Sequence, residues 1–229
     1  MMHSGAMRTL VASTVLKMQH DTQAKQIPDG RHLRSERSRA VIALAMLELV
    51  RETGTMPTTD AVADRAGVSR RSVFRHYADV SELLTAAYQI QREEAFRRFP
   101  RRDPSQWTMD QRVEAFSERA TELYEYVMPV RGAASHLARD YPVLYELMQG
   151  DDAVHRMIVE SLFAEYLKDL PDDRAGLYIS SLVAASSWSN WQGLRRDQSL
   201  PVEVAREVVR TTMRGVLAVA LTEPGQGNA

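Results

Sequence analysis

The sequence predicts an all-α chain. Three observations carry this: apolar residues recur at helical spacing in every substantial segment after residue 34, no alternating strand pattern competes with them, and Pro and Gly fall where one periodic segment gives way to the next. Of 229 residues, 44% are hydrophobic and 26% charged, which suits a packed core and is too apolar for a disordered chain. No cysteine occurs, so disulfides, thiolate metal sites, iron–sulfur clusters and cysteine nucleophiles are excluded.

Residues 1–30 show no sustained period and end in Ile-Pro-Asp-Gly, so they are expected to form an extension, with Met7 or Met18 as alternative starts. The apolar run Thr9 to Leu16 is followed by Lys17 without a small-residue cleavage pattern, and no stretch approaches the ~18 apolar residues of a membrane span. A soluble, non-secreted, cytoplasmic protein is expected.

A first helix is predicted over Ser35 to Thr53, with Ile42, Ala45, Met46 and Leu49 as its apolar stripe and Gly54 as its stop. Thr58 or Thr59 caps a second, short helix with Asp60 in its first turn and Val62, Ala63 and Ala66 facing inward. Gly67 ends it. Ser69 caps a third helix in which Val73 and Tyr77 point inward, leaving Arg70, Arg71, Phe74 and Arg75 on other faces. Asp79, with Glu82 three positions on, starts a fourth helix running to about Phe99. Beyond the break at Pro100 to Pro104, helices are predicted over 109–128, 130–139, 142–149, 151–169, 172–194 and 201–221, separated by Pro129, Pro142, Gly150, Pro171 and Pro201. The end from Glu223 to Ala229 reads as a frayed tail.

Charge is divided along this framework. Residues 1–103 carry 17 Lys+Arg against 12 Asp+Glu, and residues 104–229 carry 12 against 18, so a net charge of −1 hides a basic head and an acidic remainder. Within 31–77 there are nine arginines against five acids, which suggests a polyanion partner or a solvated Arg-rich face. Only Lys17, Lys25 and Lys168 are lysines, so the cations are almost all planar guanidiniums capable of bidentate recognition.

Residues 58–77, TTDAVADRAGVSRRSVFRHY, lay out a helix-turn-helix. Ala63 is small where two helices cross, Gly67 permits a positive φ, Val68 plugs the turn into the core, and Ser69 caps the second helix while leaving its end free. In a major groove, Arg70 and Arg71 can reach base edges or phosphates, Arg75 and His76 can anchor the backbone a turn later, and Ser69 and Ser72 can add hydroxyl contacts. Arg31, Arg34, Arg37 and Arg39 can lie along a neighbouring minor groove. The bland alternative is a helical hairpin with solvated arginines.

Over residues 41–84 the chain resembles the TetR family of bacterial transcriptional regulators. The resemblance rests on Gly54, Thr58, Val62-Ala63, Ala66-Gly67-Val68-Ser69, Phe74, His76-Tyr77 and Leu83-Leu84. It implies a three-helix DNA-binding domain over 31–84, with Thr58 and Phe74 joining the contacts above, and an effector-binding and dimerisation domain over 85–222. Phe74 stands where the family commonly has Tyr, and Val80 where it commonly has Lys, so a phenol and an ammonium that would meet phosphate are missing.

The resemblance further implies a homodimeric repressor that pairs through its last two long helices, here 172–194 and 201–221, and leaves its double-stranded operator when a small apolar or amphipathic effector binds. Helix 201–221 carries the stripe Ala205, Val208, Val209, Thr212, Val216, Leu217 and Ala220, and Ser180 to Ser187 is mostly small residues that allow close approach; either can equally be intramolecular core. Effector-pocket candidates are Tyr124, Met128 and Trp188 first, then His136, Met157, Phe163 and Trp191, with Phe116, Tyr141 and Met148 behind them, although aromatic and Met stripes also build ordinary cores. The effector is expected to shift the fourth helix and so change the spacing between the two heads.

No catalytic residue, cofactor or metal site is expected. His136/Asp140 and Asp151/His155 are each four apart, as two ligands on one helix face would be, yet no third ligand stands at a fixed spacing, and such pairs are common surface ion pairs. The chain lacks GxSxG, a P-loop, HExxH and GxGxxG after a strand. The alternatives to a ligand-responsive regulator are a helix-turn-helix protein gated by a protein partner or by none, and an all-α enzyme.

Overall fold

The computed structural model describes residues 30–223, with side chains from Arg34 onward. The alternative starts Met7 and Met18, the Arg31 side chain and the expected extension lie outside the described residues, except for Gly30, which opens a helix. Residues up to Arg39 form one unit, described only as the start of that helix, with Ser38 Oγ donating to the Arg34 carbonyl at 3.0 Å. The second unit begins at Ala40.

Every regular element among the described residues is helical. In chain order these are α1 (Gly30–Thr53), α2 (Thr59–Ala66), α3 (Arg70–His76), α4 (Val80–Arg98), α5 (Met109–Leu137), α6 (Pro142–Phe163), α7 (Asp172–Ala185), α8 (Trp188–Gln192) and α9 (Val202–Thr222). A 3₁₀ turn, Ala164–Tyr166, follows α6, and a π turn, Gly193–Asp197, follows α8.

Local chemistry sets the first boundaries. The side chains of Thr58, Ser69 and Asp79 each accept a backbone N–H three residues on, which satisfies donors that an uncapped helix would leave orphaned. Glu82 completes the start of α4 by accepting the Ala78 N–H at 2.7 Å. Ile42, Met46, Leu47 and Val50 of α1 enclose one core with Val62, Val73, Tyr77, Leu83 and Leu84, and Val130, Ala134 and Leu144 close it from α5 and α6. A second core joins Val113, Phe116 and Tyr124 of α5 to Val159, Phe163, Leu182, Trp188, Trp191, Met213 and Leu217.

Two predicted breaks do not occur. Pro129 lies inside a continuous α5, where the sequence reading ended one helix at 128 and began another at 130. An interior Pro costs about 3 kcal/mol. Tyr124 before it is buried in the second core and Val130 after it in the first, and full burial of such side chains contributes roughly 1.5–3 kcal/mol each. Packing on both sides therefore outweighs the break. Gly150 likewise lies inside α6, at a cost of about 1 kcal/mol relative to Ala, which the ion pairs of Asp151 and Asp152 with the buried Arg131 offset.

Conversely, the single helix predicted over 172–194 is interrupted after Ala185. The Ser187 side chain accepts the Asn190 N–H at 3.1 Å to cap α8, and Asn190 Nδ2 donates to the Ala185 carbonyl at 2.6 Å. These local bonds offer the backbone an alternative to continuing the helix. Glu223, read as frayed tail, instead accepts from Arg174 Nε at 2.9 Å and also meets Arg174 Nη2 and the Tyr178 hydroxyl. These bonds hold its carboxyl down at about 2. Residues 224–229 lie outside the described residues.

Candidate functional site

The turn between α2 and α3 is closed by two backbone bonds, Gly67 N–H to the Asp64 carbonyl at 3.2 Å and Val68 N–H to the Ala63 carbonyl at 3.0 Å. This pairing requires the left-handed conformation that Gly67 adopts, φ 66° and ψ 33°. Val68 packs on the first core, and α3 is pinned from below by Val73 and Tyr77, each 2% exposed.

The opposite face of α3 is outward and cationic. Arg70, Arg71, Phe74 and Arg75 are exposed, and Ser72 and His76 are half-buried. The Arg70 guanidinium sits 5.7 Å above the Phe74 ring and 3.3 Å from Asp60, an exposed pair of small energetic weight. Arg71 and Arg75 make no hydrogen bond or ion pair among the described residues. Arg65, by contrast, is held on α2 by Glu52 at 2.7 Å and Glu48 at 3.3 Å. Thr58 and Ser69 are exposed caps whose side-chain oxygens accept backbone N–H groups. Arg34 and Arg37 are exposed in the first unit.

Within the second unit, α4, α5, α6 and α8 enclose a cavity of about 110 Å³. Phe96, Phe116, Tyr124, Ile158 and Trp188 supply apolar wall, and the Tyr124 ring lies 5.8 Å from Trp188, edge on. Of the effector candidates, Tyr124 and Trp188 line this cavity, as does Phe116; Met128, His136, Met157, Phe163 and Trp191 do not. Phe163 and Trp191 are buried in the second core, Met128 packs against it, and His136 and Met157 are exposed.

The polar wall is a connected network. Asp151 accepts from the Tyr88 hydroxyl at 2.7 Å and from Arg92 Nε at 2.5 Å, and Arg131 Nη1 lies 3.4 Å away. Arg131 Nη2 donates to Asp152 at 2.5 Å. Arg131 is 6% exposed, so the two carboxylates balance a charge that would otherwise be costly to bury. Burial pushes the Tyr88 and Tyr124 phenols up, keeping both neutral.

His155 completes this wall. Ser186 Oγ donates to the Leu182 carbonyl at 2.7 Å and the Tyr124 hydroxyl to the Ser186 carbonyl at 2.9 Å, so a neutral His155 ring can donate to only one of the two oxygens it faces, Ser186 Oγ 3.1 Å from Nε2 or the Tyr124 hydroxyl 3.3 Å from Nδ1. Burial lowers the imidazole pKa, which favours this neutral form. Asp151 and His155, spaced like metal ligands, are thus committed to separate protein partners, and no group of three metal-ligating side chains occurs among the described residues.

Tyr88, Arg92, Arg119, Arg131 and His155 were not singled out as cavity residues by sequence reasoning. One signal was present: Phe116, Ala120, Tyr124, Val127 and Arg131 continue a single helical stripe, so a guanidinium on a buried face was legible. Their carboxylate partners, 20 to 63 residues away, were not.

No family model matches the chain, and no curated protein matches it in sequence. Among solved structures it is similar to a transcriptional regulator from a Rhodococcus species, with TM-score 0.63 and 17% identity over 82% of this chain and 100% of that one. It is also similar to a TetR-family transcriptional regulator from Streptomyces coelicolor, with TM-score 0.58 and 19% identity over 84% and 92%. A structure assigned to the same family from Mesorhizobium loti gives 0.55 and 17% over 81% and 98%. The chain therefore has a TetR-like fold, with an N-terminal helix-turn-helix and a C-terminal helical domain.

Proposed function

From that fold, we propose that the chain is a sequence-specific DNA-binding transcriptional regulator, acting in the cytoplasm as a homodimeric repressor. In this reading residues 31–84 form the DNA-binding head and 85–222 the effector and dimer domain. The observation that carries it is the split of α3: Val73 and Tyr77 fix the helix to the core, while Arg71 and Arg75 stand exposed with no carboxylate partner among the described residues. Such cations serve a phosphate or a guanine edge, and the exposed Phe74 ring offers an apolar contact to a thymine methyl.

Dimerisation is supported by a second stripe on α9. Val204, Val208 and Val219 are 45%, 36% and 56% exposed beside the buried Ala205, Val209, Met213 and Leu217. Gly176, Leu177, Ser180 and Ala184 of α7 are also exposed, giving a face of small and apolar residues suited to close helix packing.

Effector release is supported by the two-sided role of α4. Arg92 and Phe96 line the cavity, while Glu94 grips Arg51 of α1. A ligand that prefers one placement of α4 biases the head, and about 3 kcal/mol of such coupling lowers DNA affinity more than a hundredfold.

The test is a mobility-shift titration of the full chain on the DNA flanking its own gene, at several salt concentrations. Specific retardation whose log affinity falls linearly with log salt is expected. Retardation equal on unrelated DNA, or none at low salt, refutes the reading.

A further inference from the structure

We propose that the cavity between α4, α5, α6 and α8 takes a single-ring aromatic carboxylate, with Arg119 as the residue that holds its carboxylate. This rests on the reading of the cavity as the effector site and adds the chemical class of the ligand. Three guanidiniums line the cavity, and two are matched: Arg92 by Asp151, and Arg131 by Asp151 and Asp152. Arg119 is not. Its Nε and Nη2 both donate to one backbone oxygen, that of Phe99, at 3.0 and 2.9 Å, and Nη1 has no partner among the described residues.

A single carbonyl oxygen does not balance a full charge. Burial disfavours the charged form of Arg119, and the like charge of Arg101 adds to this, so the side chain has electrostatic need of an anion. His155, neutral through burial, supplies no competing cation. The indole N–H of Trp188, another lining residue, is buried without an acceptor among the described residues. The unmatched guanidinium thus favours an anion over a cation, and Arg119 also borders the neighbouring groove, where Arg98, Arg101 and Arg102 outnumber Glu118 and Glu122.

Size and lining fix the rest of the ligand. A cavity of about 110 Å³ is on the scale of the ~150 Å³ cavity that admits benzene, so a single ring is the size of group it takes once lining side chains adjust. The rings of Phe96, Phe116, Tyr124 and Trp188 provide edges and faces for that ring.

The experiment is isothermal titration of the full chain with benzoate and phenylacetate, and with benzamide and phenylacetamide as neutral counterparts of equal shape. Saturable binding of the acids, one per chain and at least tenfold tighter than the amides, is expected. Arg119→Gln should bring the acids to the level of the amides. Amides that bind as well as acids, no binding of either acid, or benzoate binding unchanged in Arg119→Gln would each overturn the proposal. The wild-type comparison of acid with amide stands even if the variant folds poorly. Mobility shift separates the two readings: acids that bind yet leave DNA retention unchanged refute effector release and support the ligand class, whereas release by the amides alone refutes the ligand class and supports effector release.

Discussion

Arg51 of α1 donates to Glu94 of α4 at 2.6 Å, and Tyr126 of α5 closes the triangle, its hydroxyl accepting from Arg51 and donating to Glu94, each at 2.7 Å. Three helices that contribute to different parts of the second unit therefore meet at one carboxylate. Glu94 lies two residues from both Arg92 and Phe96, which line the cavity, so displacement of α4 by a ligand cannot leave this triangle unchanged.

Glu94→Gln should weaken both stability and coupling. Burial alone would raise the Glu94 carboxyl, but hydrogen bonds from Arg51 and Tyr126 outweigh it and hold the pKa below the ordinary 4.5. A group more acidic in the folded than in the unfolded chain adds stability above its unfolded pKa and loses it as pH falls through the folded value. The variant should be about 1 kcal/mol less stable at pH 7, with the gap closing below about pH 4.5. Thermal melts of both proteins at the two ends of that range check this, and a gap independent of pH contradicts it.

Arg71→Ala should lower DNA affinity roughly 5- to 150-fold, on the scale of about 1–3 kcal/mol for a base contact, and leave the melting point unchanged. Arg70→Ala should cost less, because Asp60 already shares the Arg70 charge at 3.3 Å. If Arg71 instead meets phosphate, the loss is uniform across sequences and the salt slope drops by about one unit. Mobility shifts on specific and scrambled duplexes separate these outcomes, and unchanged binding removes Arg71 from the interface.

What could be read from the sequence divides by the range of the interactions concerned. Ser69 and Asp79 were legible as caps, and Thr58 as one of two candidates with Thr59, because each bonds a backbone N–H three residues away, and Val73 and Tyr77 were legible as core because helical spacing alone puts them on one face. Pro129 and Gly150 were read as breaks from local propensity, which packing of α5 against two cores and the Arg131 ion pairs override. The outward face of α3 followed from spacing, whereas the cavity wall depends on Asp151, Arg131 and His155 finding partners on other helices. Spacing along one helix holds no record of those.

Gly67→Val should destabilise the head through backbone conformation rather than through a clash. An added Cβ meets nothing within 4 Å, but φ is +66°, where a β-branched residue is strained by about 1–3 kcal/mol. Gly67→Asn, which tolerates the left-handed region, should lose well under half as much. Denaturant unfolding of the two variants tests this, and equal losses would point to a steric cause absent from the structure.

Val208→Glu should dissociate the proposed homodimer without unfolding the subunit. Val208 is 36% exposed and flanked one turn away by Val204, 45% exposed, so a carboxylate there is solvated in the single chain and disturbs no core contact. In the proposed paired α7/α9 face the same carboxylate would be buried in an apolar setting, and about 3 kcal/mol of desolvation raises the dissociation constant roughly a hundredfold. Sedimentation should then report a monomer at concentrations where wild type is dimeric, with helical circular dichroism unchanged. Affinity for a two-half-site operator should fall much more than affinity for a single half-site, because one head contacts one half. A variant that sediments as wild type would move the dimer surface away from this face of α9.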